Sequence, residues 1–454
     1  MTSSNRPFLR SVFICSSLLA FFGWPNRGLS LVELPSGSVT LDTTLSGTYD
    51  SYFIGTFDHS PDYYATLRPV LTYSHNVGPT NLKIFGGVAV NRYDKNSRFD
   101  SEDVSAGFNS NFPVAEGSRL SGDLGANYSE STQIDPIVND RVAIKTTQFN
   151  LGASYRTGLK TTLSDEVGYT YNQRKIYGNQ TIASNRLGFS YADFLEDTKL
   201  NLSHSYTRTK TSASNYASYV YDPQYLAGIP DVPIDQTANS FNLGVAHPVY
   251  GRIIGEVVYG YMILHRSAQE TDRGITDEKS QTIGFNLTGP LLPPERFPKV
   301  ESSATISYQQ SSSQGINDYG QKIVTGNMHL AWNARERTRL MFGASRSQSL
   351  GANNFSVANT KINAGVTETI GLATKLSADV SETWLTYRGL NRNDTVFEAN
   401  VSLQHALTLR WSIGASYTFQ DNHTNAPSTS FQASRFRLEN YTRQVVSLWV
   451  SCHY

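Results

Sequence analysis

The chain ends with the stretch "YTRQVVSLWVSCHY", Tyr441 to Tyr454, in which apolar residues recur at every second position. One face of this stretch carries Val446, Leu448, Val450, Cys452 and Tyr454, and the other carries Val445, Ser447, Trp449, Ser451 and His453. A period of two over this length predicts a β-strand with one apolar face and one mixed face. The question is why a chain would finish on such a strand and on an aromatic residue.

The same alternation recurs from Val39 onward, in about twenty runs of roughly ten residues each. Clear examples are "LKIFGGVAV" (82–90), "TQFNLGASY" (147–155) and "LRWSIGASYTF" (409–419). Short breaks such as "NVGPT" (76–80) and "RTGLK" (156–160) alternate with long polar ones such as 129–145, 207–239, 345–360 and 420–441. Transmembrane β-barrels have short periplasmic turns and longer outward loops. The sequence therefore predicts an all-β protein, a transmembrane antiparallel up-and-down β-barrel of about 20 strands with 18 as the second choice.

Aromatic residues support this prediction because they fall near both ends of the apolar faces. Tyr49, Tyr128, Tyr169, Tyr206, Tyr308 and Tyr417 lie near the loop ends, and Tyr73, Tyr155, Tyr191, Trp332 and Tyr454 lie near the turn ends. Two belts of this kind are typical of the two membrane interfaces. Soluble sandwiches, propellers and β-helices are the alternatives, but neither a blade repeat near forty residues nor a dividing linker is found.

The amino terminus predicts export. Arg6 and Arg10 precede the apolar segment "SVFICSSLLAFFGW" (11–24), which is too short to span a bilayer as a helix, and "GLS" (28–30) offers a cleavage point. We therefore expect a signal peptide over residues 1–30 and a single barrel domain over 31–454, without a preceding plug, in the cell outer membrane. The net charge of zero argues against a nucleic-acid partner.

A barrel explains the terminal stretch, because its last strand must pair with its first. Val446, Leu448, Val450 and Tyr454 then form an insertion and closure strand, similar to the signal read by the barrel-assembly machinery. This ending and the whole mature chain resemble the β-barrel porin type 2 family. Members are often associated with exopolysaccharide export, so the resemblance implies a passive conduit for a secreted polysaccharide, fed by periplasmic export proteins.

Catalytic and metal-binding patterns are not found. The nine histidines show no metal-ligand spacing, and Cys452 and His453 point to opposite faces of one strand. We predict no cofactor, no metal and no enzymatic activity, although a hydrolase site assembled in space stays a third alternative. The second alternative is a non-conducting barrel that displays its outward loops as an adhesin or structural protein.

Function is expected on the mixed face, which points inward when the apolar face meets lipid. The candidate pore-lining residues are Arg68, Lys83, Arg119, Asp123, Glu166, Lys199, Glu256, His329, Arg339, Lys361, Asp379, Glu398, Arg410 and Arg443. These charges either set a field for passing solutes or only brace the wall by pairing. Asp165 falls on the lipid face, and we expect a bulge or register slip there. Tyr216, Tyr219, Tyr221 and Tyr225, in the longest loop, are candidates for a constriction or for stacking on sugars.

Overall fold

The computed structural model describes most of the chain beyond the amino-terminal segment. The described residues are 32–53, 60–77, 80–113, 119–135, 140–157, 160–174, 179–192, 194–212, 234–266, 277–292, 299–313, 321–350, 356–388, 392–425 and 440–454. The predicted signal peptide (1–30) and the tyrosine loop (216–225) lie outside these residues.

The described chain is built almost entirely from β-strands. In order they are β1 (Val32–Leu34), β2 (Gly37–Asp50), β3 (Asp62–Val77), β4 (Thr80–Tyr93), β5 (Ser101–Pro113), β6 (Leu120–Asp135), β7 (Asp140–Thr157), β8 (Thr161–Arg174), β9 (Gln180–Ala192), β10 (Lys199–Thr211), β11 (Ile234–Tyr250), β12 (Ile253–Arg266), β13 (Glu278–Thr288), β14 (Val300–Ser313), β15 (Gln321–Asn333), β16 (Thr338–Leu350), β17 (Ser356–Ile370), β18 (Thr374–Arg388), β19 (Arg392–Ala406), β20 (Trp411–Thr424) and β21 (Tyr441–His453). One 3₁₀ turn, Ser97–Phe99, lies between β4 and β5. Among the described residues, no helix has the length and hydropathy to cross a membrane.

Strands β2 to β21 form a closed antiparallel barrel of 20 strands, which confirms the predicted fold class and strand number. Each strand pairs with the next one along the chain, and β2 also pairs with β21 through nine residue pairs from Asp42↔His453 to Asp50↔Val445. The short β1 folds back on the start of β2. The terminal strand therefore closes the sheet and removes its edge.

Several strands extend into segments where the sequence predicts long loops. β6 and β7 continue to Asp135 and from Asp140, so only 136–139 separates them instead of the predicted break of 129–145. β16 and β17 likewise leave only 351–355 between them. Beyond the apolar band both faces of a strand are polar, so alternation of hydropathy disappears while backbone pairing continues.

Crowding around glycines distinguishes the two faces of the sheet. A Cβ added at Gly47 or Gly86, on the apolar face, would meet no atom within 4 Å. On the mixed face, a Cβ at Gly125 would lie 2.7 Å from Asn109 Oδ1, and one at Gly168 would lie 2.7 Å from Ser184 Oγ. Side chains converge on the concave side of a closed sheet, so the mixed face lines the interior and the apolar face points outward.

The aromatic belts lie on the outer face. Register places Tyr49 beside Tyr63 near the loop ends of β2 and β3, and Tyr155 beside Leu163 near the turn ends of β7 and β8. Large apolar side chains between them are exposed on the protein surface, including Leu448 at 62% and Ile306 at 56%. An exposed apolar band between two aromatic belts is the surface that a bilayer covers.

The expected bulge at Asp165 is wrong. β8 pairs with β7 without interruption from Thr157↔Thr161 to Ile144↔Arg174, and with β9 from Thr161↔Tyr191 to Asn172↔Gln180. Asp165 therefore lies on the outer face, between Leu163 and Val167. Its carboxylate Oδ1 accepts a hydrogen bond from Asn185 Nδ2 of the adjacent strand at 2.7 Å. This cross-strand donor explains how the carboxylate is accommodated without a break in register.

Candidate functional site: the inner wall of the barrel

The inner wall has a repeated arrangement of glycines covered by polar side chains from the neighbouring strand. Asn127 stands opposite Gly107 and Asp123 opposite Gly152, in each case closer than any real Cβ would allow. Asn242 covers Gly260 in the same way, with Oδ1 2.8 Å from the position of an added Cβ. We call this arrangement of inward glycines and covering side chains the amide–glycine wall. It leaves the polar groups flat against the backbone, so the wall is polar without projecting far inward.

Carboxylates in this wall are held by side-chain amides. Glu256 of β12 accepts hydrogen bonds from Asn201 Nδ2 of β10 and Asn286 Nδ2 of β13, both at 3.1 Å. Asp123 accepts one from Asn150 Nδ2 at 3.3 Å. Neutral donors fix the position of a carboxylate without neutralising its charge. These two groups therefore present negative charge to the lumen at fixed positions.

Register shows where the predicted pore-lining residues lie. Within strands and on the inner face are Arg68, Lys83, Asp123, Glu166, Lys199, Glu256, His329, Arg339, Lys361, Asp379, Glu398 and Arg443. Arg119 and Arg410 each lie just before a strand, at the turn end of the barrel. The Arg410 guanidinium stacks on the ring of Tyr454 at 4.7 Å. Lining of a pore by these residues stays a prediction.

Some inward charges do pair, as the bracing alternative expects. Arg339 lies 3.7 Å from Glu301, and Arg266 lies 3.6 Å from Glu278. Among the described residues, Lys83, Lys361 and Asp379 have no ion pair. Positive and negative side chains thus both occur along the inner wall. Some of them form ion pairs that brace the wall, and others form none.

The seam between β2 and β21 has an ion pair with a buried carboxylate. Arg443 donates two hydrogen bonds to Asp50, Nε to Oδ1 at 2.9 Å and Nη2 to Oδ2 at 2.6 Å, and the Asp50 side chain is 3% exposed. Below it, Thr48 and Ser447 share a hydroxyl hydrogen bond of 2.9 Å, and His453 pairs with Asp42 near the turn end. The first and last strands are therefore joined on the lumen side by a line of polar contacts.

A small buried core lies at the loop ends of strands β2, β3, β4 and β5. The sequence patterns did not predict it. Phe53 and Phe99 are 3% and 1% exposed and pack on each other at 5.4 Å between ring centroids. Asp62 is 0% exposed and accepts hydrogen bonds from the backbone N–H groups of Tyr63, Lys95 and Asn96. The signal was available as aromatic residues in the polar segments "DSYF" (50–53) and "KNSRFD" (95–100). Because these rings are buried, they anchor loops and do not form a sugar-stacking surface.

The chemistry of the wall is that of a binding or passage surface. Within the described residues, no three His, Cys, Asp or Glu side chains come together as metal ligands would. The inward groups are amides, hydroxyls and fixed charges, which form hydrogen bonds and set electrostatic fields.

Comparison with known proteins identifies the fold. No known protein-family model matches the chain, and no curated protein matches it. The resemblance to the β-barrel porin type 2 family therefore stays a prediction. Among solved structures, the copper transporter OprC has a TM-score of 0.58 and 8% identity, with 95% of this chain and 82% of that chain covered.

Two further structures give the same result. The ferric citrate transporter FecA, in its unliganded form, has a TM-score of 0.57 and 8% identity over 93% of this chain and 80% of that one. The siderophore receptor PiuA from Acinetobacter baumannii has a TM-score of 0.53 and 8% identity, with 91% of this chain and 82% of that chain covered. At such identities the likeness concerns the fold. The chain has the fold of an outer-membrane β-barrel.

Proposed function

We propose that this barrel is a passive channel that lets hydrophilic solutes cross the outer membrane. The observation that carries the proposal is the closed barrel of 20 strands with an apolar outer band and a polar inner wall. Proteins of similar fold include a copper transporter and siderophore receptors, which agrees with a role in moving solutes.

The expected width of the barrel supports passage of large solutes. With strands about 4.8 Å apart and tilted by about 40°, twenty of them enclose a circle of roughly 40 Å between opposite backbones. Where the amide–glycine wall covers the strands, polar groups stay close to the backbone and take little of this width. A hydrated sugar chain is narrower than such a lumen.

A secreted polysaccharide is the cargo that we favour. Amides and hydroxyls exchange hydrogen bonds with sugar hydroxyls as readily as with water, so they bind a sliding chain weakly at any one place. Charges of both signs lie along the described wall, with the carboxylates Glu256 and Asp123 held in place by amides, so the wall offers a polyanion no single strong binding site. In this proposal periplasmic export proteins deliver the chain to the turn end, and the barrel itself has no enzymatic activity.

The test is single-channel conductance of the refolded protein in a planar lipid bilayer. We expect steady nanosiemens-scale openings that are reduced by a polysaccharide added on one side, with neutral dextran and anionic alginate as the two arms. Openings that neither polymer reduces would leave a general solute channel and refute the polysaccharide. Correctly folded protein that never conducts would refute the open channel and favour the loop-displaying barrel.

A further inference from the structure

The outer face contains a polar site within its apolar band. Asp165 lies on the half of β8 nearer the periplasmic turn, flanked on its own face by Leu163 and Val167. Its one hydrogen-bond donor among the described side chains is Asn185. A carboxylate that faces hydrocarbon is costly, and intramembrane charges commonly mark functional sites. A single neutral amide compensates only part of this cost.

A second titratable group lies on the same row of the sheet. Register places Asp165, Leu187 and His204 side by side on β8, β9 and β10. Two strand spacings, about 10 Å, thus separate the carboxylate from the imidazole. The ring of His204 packs against Phe241 of β11, with centroids 4.6 Å apart. The Asp165 carboxylate, which accepts hydrogen bonds, and the His204 imidazole, which has an N–H donor, therefore face the bilayer on either side of Leu187.

These two groups border a groove in the outer surface of the barrel. The groove has a volume of about 700 Å³ and crosses the strands from β6 to β12. Its apolar lining includes Leu120, Ala153, Tyr155, Phe189, Leu243 and Tyr259. Ala153 is small and adjacent to Asp165 in register, which gives direct access to the carboxylate from the groove.

We propose that the groove binds a phospholipid with a primary ammonium headgroup from the periplasmic leaflet. The ammonium donates charge-assisted hydrogen bonds to Asp165, and an imidazole N–H of His204 donates to a phosphate or ester oxygen. The acyl chains lie along the apolar lining. A lipid of this class supplies the opposite charge that Asp165 lacks, at the leaflet to which the turn-side half of β8 belongs.

The charge of the surface favours a lipid over a second copy of the chain. A two-fold interface brings the same patch of both subunits together. The residues that line the groove include no Lys or Arg, so a second copy of this patch would bring Asp165 no permanent positive charge, whereas an ammonium headgroup does. A dimer is therefore the competing occupant, and the experiment distinguishes it.

Native mass spectrometry of the detergent-solubilised barrel tests the proposal. The protein is incubated with equal amounts of phosphatidylethanolamine, phosphatidylglycerol or phosphatidylcholine, of which only the first has an ammonium group with N–H donors. We expect preferential retention of phosphatidylethanolamine. Asp165→Asn is expected to weaken this retention about tenfold, the size of one lost charge-assisted hydrogen bond.

Two further variants complete the design. Glu382 also points outward, between Ile362 and Phe397 in register, but does not line the groove, so Glu382→Gln should keep the preference. Ala153→Trp fills the groove without removing a charge and should lose the lipid, which gives a second test if Asp165→Asn does not fold.

Equal retention of the three lipids by the wild-type protein, or unchanged preference in both groove variants, would overturn the proposal. Dimers that dissociate on Asp165→Asn, without bound lipid, would overturn it in favour of a second copy. The readout does not depend on conductance, so it stands or fails separately from the channel proposal.

Discussion

The ion pair at the barrel seam is expected to contribute more to stability than any exposed ion pair of the same geometry. Arg443→Gln removes both hydrogen bonds to Asp50 but keeps a polar side chain at the site. The Asp50 carboxylate would then remain 3% exposed, with the backbone N–H of Tyr52, at 3.1 Å, as a remaining donor. An unpaired buried charge is the costly outcome of such a change.

The magnitude follows from burial. Breaking a buried pair by removing one partner costs about 3–5 kcal/mol, and a hydrogen bond to a charged group contributes about 1.5–3 kcal/mol. The Arg443 side chain is 24% exposed toward the lumen, where water weakens the interaction. We therefore expect a loss near the lower limit, about 3 kcal/mol in the free energy of unfolding.

A matched control is available on the outer face near the loop end. Arg208 makes the same two-bond contact with Asp235, at 3.0 and 2.8 Å, but these side chains are 44% and 37% exposed. Water competes for both partners of an exposed pair, so Arg208→Gln should lower the free energy of unfolding far less than Arg443→Gln.

Urea-induced unfolding in lipid vesicles, followed by tryptophan fluorescence, measures both variants. Trp449 lies on β21 itself and reports the opening of the seam. The double variant with Asp50→Asn should cost less than the sum of the single ones, because the two residues interact directly. Equal losses for Arg443→Gln and Arg208→Gln would refute the role given to burial at the seam.

Three further outcomes are expected. Gly87→Ala should destabilise the barrel by about 1–3 kcal/mol, because a Cβ would lie 2.8 Å from the backbone oxygen of Pro69. Gly86→Ala has open space on the outer face and should be nearly neutral, so equal urea midpoints for the two variants would contradict this expectation. Ile283→Lys, on the outer face, should lower the free energy of unfolding by about 2–4 kcal/mol, and Thr282→Lys, at its inward neighbour, should lower it much less. The reverse order would mean that the face assigned to the lumen meets the lipid. Glu256→Gln should lower the cation-to-anion permeability ratio in a salt gradient, while Glu382→Gln leaves that ratio unchanged; no shift would mean that Glu256 does not face the ion path.

The fold could be predicted because alternation is a property of single strands. Leu448 and Trp449 point to opposite faces of the sheet because they are consecutive residues of one strand. The aromatic belt residues Tyr49 and Tyr155 mark the two ends of the apolar band. Strand ends could not be placed, since β7 continues from the membrane into polar residues that carry no alternating signal. Pairing between backbones determines those ends.

The contacts that distinguish this barrel depend on residues distant in sequence. Asp50 and Arg443 are 393 positions apart and meet only because the sheet closes. Asp165 suggested a bulge because its partner, Asn185, lies on another strand. The amide–glycine wall likewise needs register, since Gly125 is covered by Asn109 and Asn150 from the two neighbouring strands. Spacing within one strand contains none of this information.

We propose that the polar face of these strands lines a water-filled path through the membrane. Thr305 and Ile306 are adjacent on β14 and point to opposite faces, inward and outward. Cysteine at each position, introduced together with Cys452→Ser, can be modified by a charged methanethiosulfonate reagent during single-channel recording. We expect a stepwise fall in current for Thr305→Cys and no change for Ile306→Cys. A change only for Ile306→Cys, or none for either in a conducting barrel, would contradict it.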